Sequence, residues 1–74
     1  MIQDVLYIIY VDRPFTEFLR SRNVAIDTVE PDIDDTGAWT GCMKVEISGR
    51  AFEIGQVKKY VQFANEQHGI DLAQ

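Results

Sequence analysis

Residues 5–11 form the longest continuous apolar stretch of the chain, and this stretch sets the main limit on its fold. The run is rich in β-branched and aromatic side chains, which favour extended structure, and no polar residue interrupts it. Such a run is typical of a strand buried on both faces, although a buried helix has the same pattern over so few residues. We therefore predict a first strand over residues 5–11, with a core built around it.

The length of the chain predicts a single domain over residues 1–74. Apolar residues make up 46% of the chain and charged residues 26%, which is close to the average for globular proteins. Cys42 is the only cysteine, so neither an intramolecular disulfide nor a multi-cysteine zinc site is possible. The apolar run is far shorter than the ~20 residues of a membrane span, and no basic residue precedes it as in a secretory signal. We expect a cytoplasmic protein with no membrane contact.

The residues after the first strand predict a short helix and a second strand. Asp12 is a suitable N-cap and Pro14 suits the first turn of a helix that ends near residues 20–22. A second strand over residues 24–29 is expected to stop at Pro31, because proline lacks a hydrogen-bond donor for the sheet. Residues 31–41 then form an acidic connection, from which the large indole of Trp39 is expected to fold back onto the core.

A β-hairpin over residues 43–54 is predicted next, with Ser48 and Gly49 at its turn. That register places Val45 opposite Phe52 and an opposite-charge pair on the other face. Gly55 is expected to open the last helix, which would end at Gly69 with His68 in its last turn. The apolar residues of this helix recur at helical spacing: Val57, Tyr60, Val61 and Ala64. The predicted fold is therefore α+β, with the element order β-α-β-β-β-α, a mostly antiparallel sheet and the C-terminal helix packed on one face.

The net charge of −5 limits the partners that the protein can bind. Affinity for nucleic acid comes largely from Lys and Arg that neutralise phosphates, so an acidic chain is a poor candidate for direct binding to DNA or RNA. The excess of negative charge instead favours a larger protein with a basic surface as the binding partner. We expect no direct nucleic acid binding.

The loop around Asp34 contains part of a calcium-binding pattern. Asp32, Asp34 and Thr36 fit ligand positions one, three and five, and Gly37 fits the glycine at position six. Position twelve requires a bidentate glutamate but holds Met43. We therefore expect no metal site, and predict a solvated turn in which aspartate side chains bond their own backbone.

Catalysis has little support in the sequence, and we predict that the protein is not an enzyme and carries no cofactor. Cys42 and His68 are the only candidates for a nucleophile and its base, and their presence says nothing about their geometry. Four aromatic residues with arginines nearby could stack nucleic acid bases, but they lie in the most apolar region, so we expect them in the core. They are Tyr7, Tyr10, Phe15 and Phe18.

The candidate partner-binding site is a cluster of five carboxylates within nine residues, with no Lys or Arg among them. In an extended chain alternate side chains lie about 6.6 Å apart on one side, so three of the five could form an anionic row. Like charges of this kind also gather on solvated strand edges, where they discourage aggregation. The cluster consists of Asp27, Glu30, Asp32, Asp34 and Asp35. The row would consist of Glu30, Asp32 and Asp34.

In size, acidity and lack of catalytic motifs the chain resembles the small inhibitors encoded by phages and mobile elements, including anti-CRISPR and anti-restriction proteins. The resemblance is one of composition and implies a nucleic acid mimic, which occludes a basic, nucleic-acid-binding surface on a partner. The alternative is a structural or assembly protein that acts through homo-oligomerisation, for which a homodimer would cover the apolar residues of the first strand.

Overall fold

A computed structural model of the protein describes residues 1–67, which form three strands and two helices. They are β1 Ile2–Ile8, α1 Arg13–Ser21, β2 Ala25–Ile33, β3 Trp39–Gly49 and α2 Ala51–Gln67. The predicted α+β class, the antiparallel sheet and the C-terminal helix on one face are confirmed. The predicted helix ending at His68 and Gly69 lies outside the described residues.

The sheet has the order β1-β3-β2, so the last strand in the chain lies in the middle. β3 is antiparallel to both neighbours, which makes β1 and β2 parallel to each other, and among the described residues each of them has an edge without a partner strand. One row across the sheet consists of Leu6, Val45 and Val29, with Val45 paired to both others. Directly opposite residues share a face of the sheet, so this row marks the face that the helices cover.

Both helices pack on that face and supply half of the core. α1 contributes Phe15 and Leu19, which are four residues apart. α2 contributes apolar residues that recur at each turn along one side of the helix. The ring of Tyr60 in α2 stacks on Phe18 of α1 with 4.7 Å between centroids, so the two helices also contact each other. The buried core consists of Leu6, Ile8, Phe15, Leu19, Val24, Val45, Ile47, Ile54, Val57 and Val61. No helix within residues 1–67 covers the opposite face of the sheet, which we call the open face.

The prediction that the first strand is buried on both faces was wrong. β1 ends at Ile8, and Tyr7 is 42% exposed between the buried Leu6 and Ile8. The reason is that one helical layer covers one face only, so alternate residues of the strand lie on the open face. Of the four aromatic residues expected in the core, Phe15 is buried and Phe18 is partly buried, but Tyr10 is 59% exposed.

The predicted hairpin over residues 43–54, with its fourth strand, was also wrong. β3 extends straight through Ser48 to Gly49, and Gly49 pairs with Ile2 instead of forming a turn. Residues 51–54 begin α2, four residues earlier than the expected start at Gly55. The cross-strand partners of β3 come from residues 2–8 and 25–33, which a local alternation pattern does not reveal.

β2 continues through Pro31, which was expected to end it. Pro31 is paired with Met43 of β3, and its missing N–H is tolerated because β2 is an edge strand. Trp39 begins β3 and is 59% exposed, so the expectation that it folds onto the core was wrong. Strands β2 and β3 instead extend as a hairpin with a loop at residues 34–38.

The start of α1 follows the predicted capping pattern. The side chain of Asp12 accepts a hydrogen bond from the backbone N–H of Phe15 at 3.0 Å, and Pro14 lies in the first turn. Within residues 1–67 there is no helix whose length and hydropathy would allow it to cross a membrane.

Asn65 attaches α2 to the end of β1. It is the one polar side chain among the described residues that is buried, at 3% exposure. Its Nδ2 donates to the carbonyl of Tyr7 at 3.0 Å, and its Oδ1 accepts from the N–H of Ile9 at 3.4 Å. The amide therefore satisfies both main-chain groups that flank Ile8.

Candidate partner-binding hairpin

The net charge of the protein is concentrated in one supersecondary element. Residues 25–49, which we call the acidic hairpin, contain six carboxylates and a single lysine. The rest of the chain has six carboxylates and six Lys or Arg residues, so it is neutral as a whole. The net charge of −5 therefore equals the charge of the acidic hairpin.

Asp27 and Glu30 lie in the middle of β2. A β-bulge between Ile26 and Thr28 makes room for Asp27, whose Oδ1 is 3.4 Å from the hydroxyl of Ser48 on β3. Glu30 pairs across the strands with Lys44, and their charged groups are 3.9 Å apart. Because Ser48 and Lys44 alternate with the buried Ile47 and Val45, both carboxylates belong to the open face.

Asp32 lies further along β2, near the loop. Its Oδ2 accepts a hydrogen bond of 2.9 Å from the hydroxyl of Thr40. Burial raises the pKa of the neighbouring Cys42 thiol, and the negative charge of Asp32 raises it further. The thiol therefore stays protonated at neutral pH and is a poor nucleophile.

Asp34 organises the loop of the acidic hairpin. Its Oδ1 accepts hydrogen bonds from the N–H of Thr36 at 2.9 Å, the hydroxyl of Thr36 at 2.6 Å and the N–H of Ala38 at 3.0 Å. Gly37 supplies the positive φ of 87° that the turn needs. This confirms the predicted solvated turn. Within the part of the chain that the structure describes, no group of three or more His, Cys, Asp or Glu side chains is placed to hold a metal ion.

These hydrogen bonds lower the pKa of Asp34 below its ordinary value of 3.8, with the Thr36 side chain the largest cause and the Ala38 N–H the next. We expect Asp34→Ala to speed amide hydrogen exchange at Thr36 and Ala38 without unfolding the domain. Since the pKa is lowered by folding, the stabilisation is present above pH 3.8 and is lost as the pH falls through the folded value.

Asp35→Ala is the control for this experiment, because it removes the same charge one residue away. Hydrogen exchange measured by NMR at pH 6 would contradict the role given to Asp34 if both variants had the same effect.

The predicted row of Glu30, Asp32 and Asp34 is interrupted, because Asp34 lies beyond the end of β2 and bonds the loop. The register of β2 against β3 shifts between Pro31 and Ile33, and Gly41 has a positive φ of 94° in the same region of β3. Asp32, Asp34 and the exposed Asp35 lie at the loop end of the hairpin, whereas Asp27 and Glu30 lie in its middle. The carboxylates thus form two groups on one element.

Glu46 is a sixth carboxylate of this surface that the sequence prediction missed. It pairs with Val5 on one side and Thr28 on the other, so it lies in the middle of the open face. Glu46 and Asp27 are among the residues that line a shallow cleft of about 340 Å³. The alternation of residues 43–47 is the signal that could have placed Glu46 beside Lys44 on the polar face.

Three exposed apolar side chains accompany the carboxylates, and the sequence prediction missed these as well. Val29 is 44% exposed, Ile33 52% and Trp39 59%, and Ile33 pairs directly with Trp39 across the strands. The acidic hairpin therefore presents apolar surface as well as negative charge.

The chain has no significant match to protein-family models, to curated proteins or to solved structures. Function is therefore inferred from the geometry and charge of the acidic hairpin.

Proposed function

We propose that the protein is a small acidic protein-binding module, which docks its acidic hairpin on the basic surface of a larger protein and excludes nucleic acid from that surface. The observation that carries this proposal is the location of the whole net charge in residues 25–49. Inhibition of a nucleic-acid-binding protein, as performed by phage-encoded anti-CRISPR and anti-restriction proteins, is the form of this function that we favour.

The physical basis is competition for the same cations. Arg and Lys side chains that contact phosphates are attracted equally to carboxylates held on a folded surface. Asp27, Glu30 and Asp35 are exposed, and Lys44 is the one lysine or arginine within the acidic hairpin. The hairpin is anchored by the core through Val45 and Ile47, so its charges are fixed relative to one another.

A variant of the hairpin that lacks three of its six carboxylates tests this function. We expect Asp27→Asn, Glu30→Gln and Asp35→Asn, made together, to weaken partner binding about tenfold at low salt, since each exposed charge pair contributes up to about 1 kcal/mol. Asp34 and Asp32 are left in place because they bond Thr36 and Thr40. The dependence of affinity on salt should become shallower in the same variant.

The matched control removes three carboxylates from the neutral remainder of the chain: Glu17→Gln, Glu53→Gln and Glu66→Gln. It has the same net charge as the hairpin variant, so we expect its affinity to stay within about twofold of the unmodified protein if the location of the charge matters. Equal loss in both variants would mean that only the overall charge of the protein counts.

Competition with nucleic acid is the direct readout. A partner isolated from the source cell with this protein as bait is mixed with a fluorescently labelled duplex, and anisotropy is followed as the protein is added. We expect release of the duplex by the unmodified protein and by the control triple, but not by the hairpin triple. A ternary complex of partner, duplex and protein would contradict the proposed function.

A further inference from the structure

Val29, Ile33 and Trp39 are large exposed apolar side chains of the acidic hairpin, and together we call them the apolar strip. Trp39 is the cross-strand partner of Ile33 at the loop end of the hairpin, and Val29 precedes Ile33 by four residues along β2. Val29 lies on the helix-covered face because it pairs with the buried Val45. The three side chains of the strip are nevertheless between 44% and 59% exposed.

The indole of Trp39 is held in place although it is exposed. Its Nε1 donates a hydrogen bond of 2.9 Å to the carbonyl of Cys42, which is itself buried. Asp34 holds the adjoining loop in place. The backbone N–H of Asp34 donates a hydrogen bond of 2.9 Å to the carbonyl of Ala38. A large aromatic ring that is already ordered loses little conformational entropy on binding, which is the property of an interface anchor.

We propose that this apolar strip is the anchor by which the acidic hairpin binds a protein segment that carries Arg or Lys beside an apolar or aromatic side chain. The inference rests on the proposed function and deepens it. Exposed carboxylates set the association rate and the choice of partner, whereas buried aromatic contacts supply most of the affinity. Asp34 and Asp35 lie in the loop that joins Ile33 to Trp39, and Asp32 precedes Ile33, so carboxylates adjoin this apolar pair along the chain; we call them the acidic rim.

The charge of the hairpin decides between a basic partner and a second copy of this chain. Two copies joined through the strip about a twofold axis would bring together two hairpins that each carry a charge of −5. A segment with Arg or Lys beside its apolar residues meets the same rim with attraction instead of repulsion. The strip therefore fits a basic partner.

The test uses a library of random 12-residue peptides displayed on phage, selected against the immobilised full chain. We expect the enriched peptides to combine Arg or Lys with an aromatic or aliphatic residue. Trp39→Ser should weaken binding of the synthetic forms of these peptides about 30-fold, measured by anisotropy of the labelled peptide. Trp39 is the only tryptophan of the chain, so its emission should move to shorter wavelength when a peptide covers it.

Phe63→Ser is the matched control, because Phe63 is also 59% exposed but lies on α2. Circular dichroism establishes that both variants are folded. Peptide binding that is equal in Trp39→Ser and Phe63→Ser, or a library without enrichment of basic peptides, would overturn the proposal. A sedimentation experiment in which the unmodified protein is a dimer and Trp39→Ser is a monomer would also overturn it. In that case the molecule that covers the apolar strip would be a second copy of this chain.

The two proposals fail in different ways. If Trp39→Ser still displaces a nucleic acid duplex from the partner as well as the unmodified protein does, the apolar anchor is wrong and the proposed function stands. If Trp39-dependent basic peptides are found but the partner binds the duplex and the protein together, the anchor stands and nucleic acid exclusion is wrong.

Discussion

Replacement of Phe15 by alanine is expected to lower the free energy of unfolding by about 3–5 kcal/mol. Phe15 is fully buried, and its ring lies 6.3 Å from that of Tyr60, so the truncation opens a cavity where α1 meets α2. A folded chain of 74 residues has a total stability of roughly 4–11 kcal/mol. We therefore expect the variant to lose a large fraction of its stability, as measured by urea titration with far-UV circular dichroism.

Phe52→Ala is the control for this measurement. Phe52 is 72% exposed on α2, so its truncation should change the free energy of unfolding by no more than about 0.5 kcal/mol. The sequence pattern had placed Phe52 opposite Val45 in a hairpin, where its loss would be costly. A large effect at Phe52 together with a small effect at Phe15 would contradict the helical assignment of residues 51–54.

Replacement of Asn65 by leucine is expected to lower the free energy of unfolding by about 2–3 kcal/mol, because a main-chain group left without a partner in a buried position costs about 1–3 kcal/mol. The leucine side chain has a similar volume but cannot bond the carbonyl of Tyr7 or the N–H of Ile9. Thermal unfolding followed by circular dichroism measures the loss, which corresponds to a decrease in Tm of roughly 4–8 °C per kcal/mol. A Tm equal to that of the unmodified protein would contradict the role of Asn65.

Asn65→Asp separates the hydrogen bonds from the packing. A carboxylate can still accept from Ile9, but it can donate to the Tyr7 carbonyl only when protonated, so burial and the carbonyl should raise its pKa in the folded state. The stabilisation is then present below the unfolded pKa and is lost as the pH rises through the folded value. Relative to the unmodified protein, this variant should lose stability between pH 4 and pH 7, whereas the deficit of Asn65→Leu should stay constant.

Local signals in the sequence were sufficient for part of the fold. Asp12 and Pro14 define the start of α1 because capping involves residues within one turn, and the spacing of Val57 and Val61 identifies the buried side of α2. The central position of β3 was not accessible in this way, because its partners are residues 2–8 and 25–33. Once β3 was ended by a turn at Ser48 and Gly49 and residues 50–54 were assigned to a fourth strand, the start of α2 was necessarily misplaced as well.

The same limit applies to the candidate site. The clustering of Asp32, Asp34 and Asp35 is visible in the sequence, and so is the tendency of Asp34 to bond its own loop. The exposure of Trp39 depends on where the helices pack on the sheet, which no local pattern encodes. The face of Glu46 was accessible from the alternation of residues 43–47, whereas its central place on the open face follows from the pairing of β3 with two strands at once.

The insertion of β3 between β1 and β2 also fixes the order in which the sheet can be completed. Within residues 1–67, β1 pairs with β3 alone, through contacts that join residues 2 and 49 at one end and residues 8 and 43 at the other. During synthesis β1 must therefore wait for its partner in this sheet until residues 43–49 have left the ribosome. Chain closure across this separation is an entropic cost that precedes any gain from pairing, so formation of the β1–β3 ladder should limit the folding rate.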